Sequence, residues 1–375
     1  MSKTRIAIIS TLKPLQEPRA FLKMATTMTE TNKYDINIIG FSAKKSPARS
    51  HIKFHSIQPV ARLSIQRLII PITILLKLFK VKPEIIICNT HELLEITIAI
   101  KILFGAKIVY DIQENYYRNI LYTRHYSQWQ KPLAYLIRLR EKALSHMFDH
   151  FFLAEKCYTK EMSFIPTNKT TIIENKAQLS DFLRKDQLPQ TRSQFLRKFL
   201  YTGTIAANYG IWQAINLAKF LHQQDSSICL KIIGLCHIKK LHDQLHEASA
   251  GLPFVEYCGS LEAIPHREIT EAIMASDVVL LPYQLDKALQ NRIPTKLYEC
   301  LALQKPMIIT KNPAWEEICT PYPAALFIDY NHPPASLLRE MDNTDFYITR
   351  PGNDVFWDKE AGKLLKALDE LSSLD

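Results

Sequence analysis

Short apolar runs alternate along the chain with longer segments in which apolar positions recur every three or four residues. In the first half the runs fall at 5–10, 35–40, 84–88, 107–110, 150–153 and 171–173. The first four are rich in Ile and Val without strict polar alternation, the pattern of parallel strands buried on both faces. Helical periodicity fills the gaps near 18–31, 64–80, 91–104 and 130–146. Such strand–helix alternation predicts a doubly wound α/β domain. A polar stretch over 176–197, with Pro189 and mixed charge, predicts a linker carrying a short helix. Beyond it a second series begins, with strands at 199–202, 228–233, 254–257, 278–281, 307–310 and 325–329. Helices are predicted there near 209–222, 237–248, 264–275, 295–303 and 333–341, and a last helix over 354–371 spaces Phe356, Leu364, Leu365, Leu368 and Leu371 on one side.

The pattern therefore predicts two tandem Rossmann-like domains, over 1–175 and 198–353, and a closing segment over 354–375. Sheets of this kind bind ligands at their carboxyl ends, so two in tandem should face one another across a cleft. The length of 375 residues suits two domains, and 47% apolar with 22% charged residues describes an ordinary globular chain.

Composition removes several functions. None of the nine glycines falls into a G-x-G-x-x-G fingerprint, and no G-x-x-x-x-G-K-[ST] loop occurs. The seven cysteines form no C-x-x-C pair, so neither a disulfide framework nor a zinc site is expected, and a reducing cytosol fits. The opening MSKTRIAIIS runs from a charged cluster straight into a strand-like segment, with no signal-peptide core. The longest nearly apolar run, 68–76, is interrupted by Pro71 and falls far short of the about 20 residues a membrane span needs.

Charge divides the chain. Residues 1–200 hold 32 Lys and Arg against 15 Asp and Glu, a balance of +17, whereas 201–375 hold 15 against 22, a balance of −7. The first half is thus suited to an anionic partner. In 61–82, Arg62, Arg67, Lys77, Lys80 and Lys82 flank or interrupt apolar residues. The stretch reads either as an interfacial helix on an anionic membrane surface or as a helix on the sheet with a basic outer face, kinked at Pro71 in both cases. No helix-turn-helix spacing or aromatic-interleaved basic motif supports nucleic-acid binding.

Candidate chemistry concentrates in 282–310, where a strand end, a polar loop, a Pro-started helix and the next strand follow one another. Pro294 suits a first helical turn, whose unpaired N–H groups and dipole form an anion site. Lys296 adds a cation there, and Glu299 follows three residues later on the same helix face. A phosphate at the helix start with a sugar diol on Glu299 would be a nucleoside-diphosphate geometry, with Glu299 partly exposed in the cleft and within reach of Lys296 and the Gly203 loop. Gly203 and Thr204 follow a strand, and a residue without Cβ admits close approach of backbone N–H groups to phosphate. No D-x-D occurs, so no metal-bound donor diphosphate is expected.

This stretch resembles the donor-binding signature of retaining family-4-type glycosyltransferases of the GT-B fold. Glu299-Cys300-Leu301-Ala302 and Lys305-Pro306-Met307-Ile308-Ile309 match its second half, and Pro294, Lys296 and Glu299 match a P-x-K-x-x-E branch. Asn291 stands where the family's first glutamate is usual. Lys107 to Glu114 resembles the V-Y-D-x-H-E strand and loop with Gln113 replacing the histidine, Asn89-Thr90-His91 the preceding loop, and Glu17-Pro18-Arg19 a D-P-R helix start. Leu200 to Thr204 with Tyr209-Gly210-Ile211 is similar to the first strand and loop of the donor domain, and Phe356-Trp357-Asp358 to the start of the closing helix, which crosses back to the N-terminal domain.

The resemblance implies metal-independent, retaining transfer of a sugar from a nucleotide-sugar to a glycan, lipid-linked or other membrane-proximal acceptor, at the cytoplasmic face of the membrane and without a cofactor. It implies that Glu299 binds the ribose and that Lys296 and Arg292 neutralise the diphosphate, with Pro294, Gly203, Thr204, Tyr283 and Gly234 also on the donor side. Asn291 and Gln113 take the positions nearest the transferred sugar. His91, Asp111, Glu114 and Arg19 fall on the acceptor side, Asp111 and Glu114 chiefly to orient their loop. Ala206 to Tyr209 lacks the Arg and Lys that many members carry after the first donor-domain strand. A second class therefore stays open, a membrane-attached GT-B subunit with a degraded donor site.

Overall fold

The computed structural model describes residues 3–41, 51–58, 60, 67, 69–122, 127–178 and 196–373. The chain divides into two compact units, Met1–Asn175 with Trp357–Asp375, and Lys176–Phe356. Most of the expected 176–197 linker, including its short helix, and Arg62 of the basic stretch lie outside the described residues.

The first unit holds a seven-stranded, fully parallel sheet in the order β3-β2-β1-β4-β5-β6-β7. Its strands are β1 (Thr4–Pro14), β2 (Tyr34–Phe41), β3 (Ile52–Ile57), β4 (Ile85–Cys88), β5 (Lys107–Ile112), β6 (His150–Leu153) and β7 (Thr170–Ile172). The apolar runs are buried on both sides because successive side chains feed two cores. Ile6 and Ile8 point to one that includes Phe21, Met24, Ile36 and Ile38, whereas Ala7 and Ile9 point to one that includes Ile74, Leu78, Ile86 and Ile108. The helices are α1 (Thr26–Glu30), preceded by a π-helical Pro18–Ala25, then α2 (Ile70–Val81), α3 (Leu94–Phe104), α4 (Tyr116–Tyr122), α5 (Lys131–Leu144) and α6 (Tyr158–Glu161).

The second unit repeats the plan with six parallel strands in the order β10-β9-β8-β11-β12-β13. They are β8 (Lys198–Thr204), β9 (Cys229–Leu235), β10 (Val255–Ser260), β11 (Val278–Leu281), β12 (Met307–Thr310) and β13 (Ala325–Ile328). The helices are α7 (Ile211–His222), α8 (Lys239–Ala250), α9 (His266–Ala275), α10 (Thr295–Ala302), α11 (Pro313–Cys319) and α12 (Leu337–Asn343). The last helix, α13 (Asp358–Ser372), belongs to the first unit, where Trp357, Leu364, Leu368 and Leu371 join the core beside β1 and β2. Trp357 Nε1 donates there to Thr27 Oγ1 at 2.9 Å.

Several elements depart from the sequence pattern, among them the short helices α4 and α6, for which none is predicted. β3 reads IKFHSI, with polar residues on its exposed positions, and pairs only at the sheet edge with β2, so it lacks the apolar signature of its neighbours. α11 starts at Pro313 after a polar Asn312, whose side chain accepts from Ala314 N at 2.9 Å and caps the helix. α2 begins at Ile70, so Pro71 falls in its first turn and imposes no mid-helix kink.

Candidate functional site

In both sheets the strand order reverses beside the first strand, between β1 and β4 and between β8 and β11, the place where open α/β sheets hold ligands. The expected residues fall at these two places, donor-side ones in the second unit and acceptor-side ones in the first.

In the second unit β8 and β9 run in register, with Gly203 opposite Gly234. A Cβ on Gly234 would come within 1.9 Å of Gly203 O, so this crossing admits no side chain. Gly203 itself has φ +111°, and a Cβ on it would meet Lys296 Cε at 3.6 Å. The lysine stem therefore lies against the end of β8, next to the exposed Thr204.

Pro294 is the N-cap residue of α10 and enters it with extended backbone. Lys296 stands in the first turn and Glu299 one turn later, and the two pair through Nζ and Oε2. The other carboxylate oxygen, Oε1, meets His266 Nε2 at 3.1 Å. Glu299 is buried at 9% exposure, against the expectation of a partly exposed residue. Burial pushes its carboxyl up, but Lys296 and His266 more than offset that and hold it at about 2. An ionised carboxylate with two fixed partners is thus set beside a helix start that offers N–H groups. His266 escaped sequence reading because nothing near Pro265, the N-cap residue of α9, signals a contact 33 residues onward.

The loop between β11 and α10 is pinned from several sides. Trp315 Nε1 donates to Arg292 O at 2.7 Å, Asn312 Nδ2 to Gln290 O at 2.8 Å, and Gln284 N to Asn208 O at 3.1 Å. Tyr283 makes edge-to-face contacts with Tyr209 and Trp315, each at 5.6 Å, and burial pushes its hydroxyl pKa up. Asn291 is exposed in this loop and Arg292 half-buried.

In the first unit, Arg19 and Asp111 form a closed pair. Arg19 Nη2 and Nε contact Asp111 Oδ1 and Oδ2 at 2.7 and 3.0 Å, and Nη1 donates to Ile173 O and Asn175 Oδ1. Their side chains are 2% and 0% exposed. A direct acceptor contact is therefore not available to either; they position the loop. Gln113 Nε2 donates to Asp111 Oδ2 at 2.7 Å, and Lys13 Nζ contacts Gln113 Oε1. The amide of Gln113 is thereby fixed, its N–H end toward the aspartate. Glu114 accepts from Asn119 Nδ2 at 3.0 Å.

His91 lies against Tyr116 edge-on, with ring centroids 4.6 Å apart. Burial and the neighbouring Arg140 and Arg67 outweigh Glu92 and Glu95 and hold its pKa down at about 4, so the ring is neutral. Next to it, Asn89 is buried with neither amide atom hydrogen-bonded, and Glu92 accepts from Thr11 Oγ1 at 2.5 Å while pairing with Arg67. Arg67, expected at a membrane surface, is therefore engaged within the unit. Among the described residues no cluster of three His, Cys, Asp or Glu is placed to hold a metal, and no helix is long and apolar enough to cross a membrane.

Residues 197–343 match the family described as Glycosyl transferases group 1. The whole chain has the GT-B fold. A sucrose-phosphate synthase from Thermosynechococcus elongatus superposes with a TM-score of 0.72 at 13% identity, covering 100% of both chains. HepE from Anabaena, solved in complex with UDP and glucose, gives 0.66 at 13% identity over 99% of this chain and 100% of that one. The apo lipopolysaccharide outer core galactosyltransferase WaaB gives 0.53 at 15% identity over 98% and 99%. No curated protein sequence matches the chain. Fold and family match together define a glycosyltransferase.

Proposed function

We propose that this enzyme moves a sugar from a nucleoside-diphosphate sugar to a glycan or lipid-linked acceptor at the cytoplasmic face of a membrane, with retention and without a metal. The observation that carries this reading is Glu299, ionised and fixed by Lys296 and His266 one turn into α10, with the Lys296 stem against Gly203. A ribose diol can donate to that carboxylate, while the diphosphate meets the first-turn N–H groups and Lys296. As the bond from the anomeric carbon to the leaving phosphate oxygen breaks, negative charge grows on the diphosphate, and Lys296 and Arg292 stabilise it. The acceptor hydroxyl forms the new bond on the same face, and its proton passes to the departing phosphate oxygen, so no side-chain base is needed. Gln113 and Asn291 hydrogen-bond the sugar without titrating. UDP is the first nucleotide to test, since the HepE structures hold it.

Gln113 and Asn291 also favour a second reading, a partner subunit whose donor site no longer turns over. Thermal shift with UDP and GDP, followed by nucleotide release from a sugar-nucleotide panel, separates the two. Release that Glu299→Gln lowers about tens- to hundredfold supports the enzyme; stabilisation by nucleotide without release from any donor supports the subunit.

A further inference from the structure

The outer surface of the first unit carries an apolar face. Ile69, Ile72, Leu76 and Phe79 follow one another at i, i+3, i+7 and i+10 along α2, all exposed, while Ile70, Ile74 and Leu78 enter the core. Trp129, just before α5, and Leu133, Leu136 and Leu139 within it repeat nearly the same spacing, and Trp129 is 93% exposed. Ile102, Leu103 and Phe104 at the end of α3 are exposed as well. The three helices form one layer: Phe79 meets Phe104 edge-on at 5.3 Å, and Arg140 of α5 holds Glu95 of α3 at 2.5 Å. Exposed apolar side chains along three helices of one layer mark a docking site.

Its charge selects the occupant. α2, α3 and α5 carry Lys77, Lys80, Lys101, Lys131, Arg138, Arg140 and Lys142 against Glu95 and Glu141. Glu95 is paired with Arg140, and Glu141 is buried where it accepts from Tyr110. Lys101, Arg138 and Arg140 are held by Asp149, Asn115 and Glu95, and a two-fold partner copy would set Lys77, Lys80, Lys131 and Lys142 against themselves. A bilayer interface instead takes leucine and tryptophan at the headgroup boundary and lysines against anionic phosphates.

We propose that the outer face of α2, α3 and α5 lies on an anionic lipid bilayer, with Trp129 and the exposed leucines inserted and Lys80, Lys82 and Lys142 at the headgroups. The proposal rests on the membrane-proximal acceptor of the reading above, but its test needs no transfer. Full-length protein is floated with phosphatidylcholine vesicles with and without phosphatidylglycerol. We expect flotation with the anionic vesicles and a blue shift of tryptophan emission that Trp129→Phe removes, since Trp315 and Trp357 are buried and Trp212 packs against the core of the second unit. Leu133→Gln, Leu136→Gln and Leu139→Gln together should weaken binding at least about tenfold at every salt concentration. Ile72→Ser with Leu76→Ser should act likewise. Lys80→Gln, Lys82→Gln and Lys142→Gln should weaken it at low salt and matter little at high salt. Stabilisation by UDP should persist in all variants. Absence of flotation at low salt, flotation of the leucine variants like wild type, or a dimer that those variants dissolve would each overturn the proposal. Vesicle binding without stabilisation by any nucleotide would instead count against the donor site.

Discussion

Arg19–Asp111 in the first unit and Lys296–Glu299 in the second are both ion pairs among the expected site residues, the first joining the helical start after β1 to β5 and the second lying within α10. Arg19 and Asp111 are sealed at 2% and 0% exposure, and every remaining polar contact of the pair goes to the protein. Lys296, Glu299 and His266 keep 13%, 11% and 30% of their side-chain surface. A sealed pair fixes a loop, whereas one left partly open can exchange a protein partner for a ligand. Family resemblance expects functional residues at both positions; burial gives Arg19 and Asp111 a structural use.

The comparison breaks most visibly if the sealed pair is cut. Arg19→Met leaves a buried carboxylate uncompensated and should cost about 3–5 kcal/mol of stability in urea unfolding. A loss near that of a surface substitution would show that the pair is not closed. Glu299→Gln should affect turnover instead, lowering kcat/KM tens- to hundredfold, about 2–3 kcal/mol, with a smaller stability loss than Arg19→Met. Because the folded pKa of Glu299 is depressed to about 2 from 4.5, its ionised form adds stability above pH 4.5 that is lost as pH falls toward 2. Glu299→Gln should flatten that part of an acid-unfolding profile.

His266→Ala comes next, removing one of two contacts to Glu299. It should weaken donor binding by about 1 kcal/mol, seen as a KM rise of several-fold at nearly constant kcat. A fall in kcat alone would mean that His266 touches the reacting sugar. A further effect, read as a pH slope and not as a loss at neutral pH, belongs to His91. Its ring stays neutral to about pH 4 in the fold but takes a proton near 6.5 when unfolded, so stability should decline as pH drops from 6.5 to 4. His91→Gln should remove that slope; an unchanged slope would place the titration elsewhere.

Both parallel sheets were legible because buried parallel strands are nearly all apolar and their helices are periodic. β3 was not, since an edge strand facing water on one side carries polar residues that mimic a loop. Lys296 and Glu299 could be read together because a helix turn sets their spacing. His266, which completes their network, comes from another helix, and only tertiary packing brings it there. Sequence likewise placed Arg19 and Asp111 near the acceptor without revealing that they neutralise one another across 92 residues of chain.

The place of α13 has a consequence for synthesis on the ribosome. The second unit is encoded between the two pieces of the first, and Trp357, Leu364 and Leu368 fill the core beside β1 and β2. As the chain emerges, residues 3–175 can pair their strands but leave that core uncovered, whereas 176–356 contain everything their own sheet needs. The unit encoded second should therefore complete first, and the nascent first unit should wait, with apolar surface open to chaperones, until the last helix clears the exit tunnel. A released fragment ending at residue 356 should show a protease-resistant second unit attached to a protease-sensitive first one.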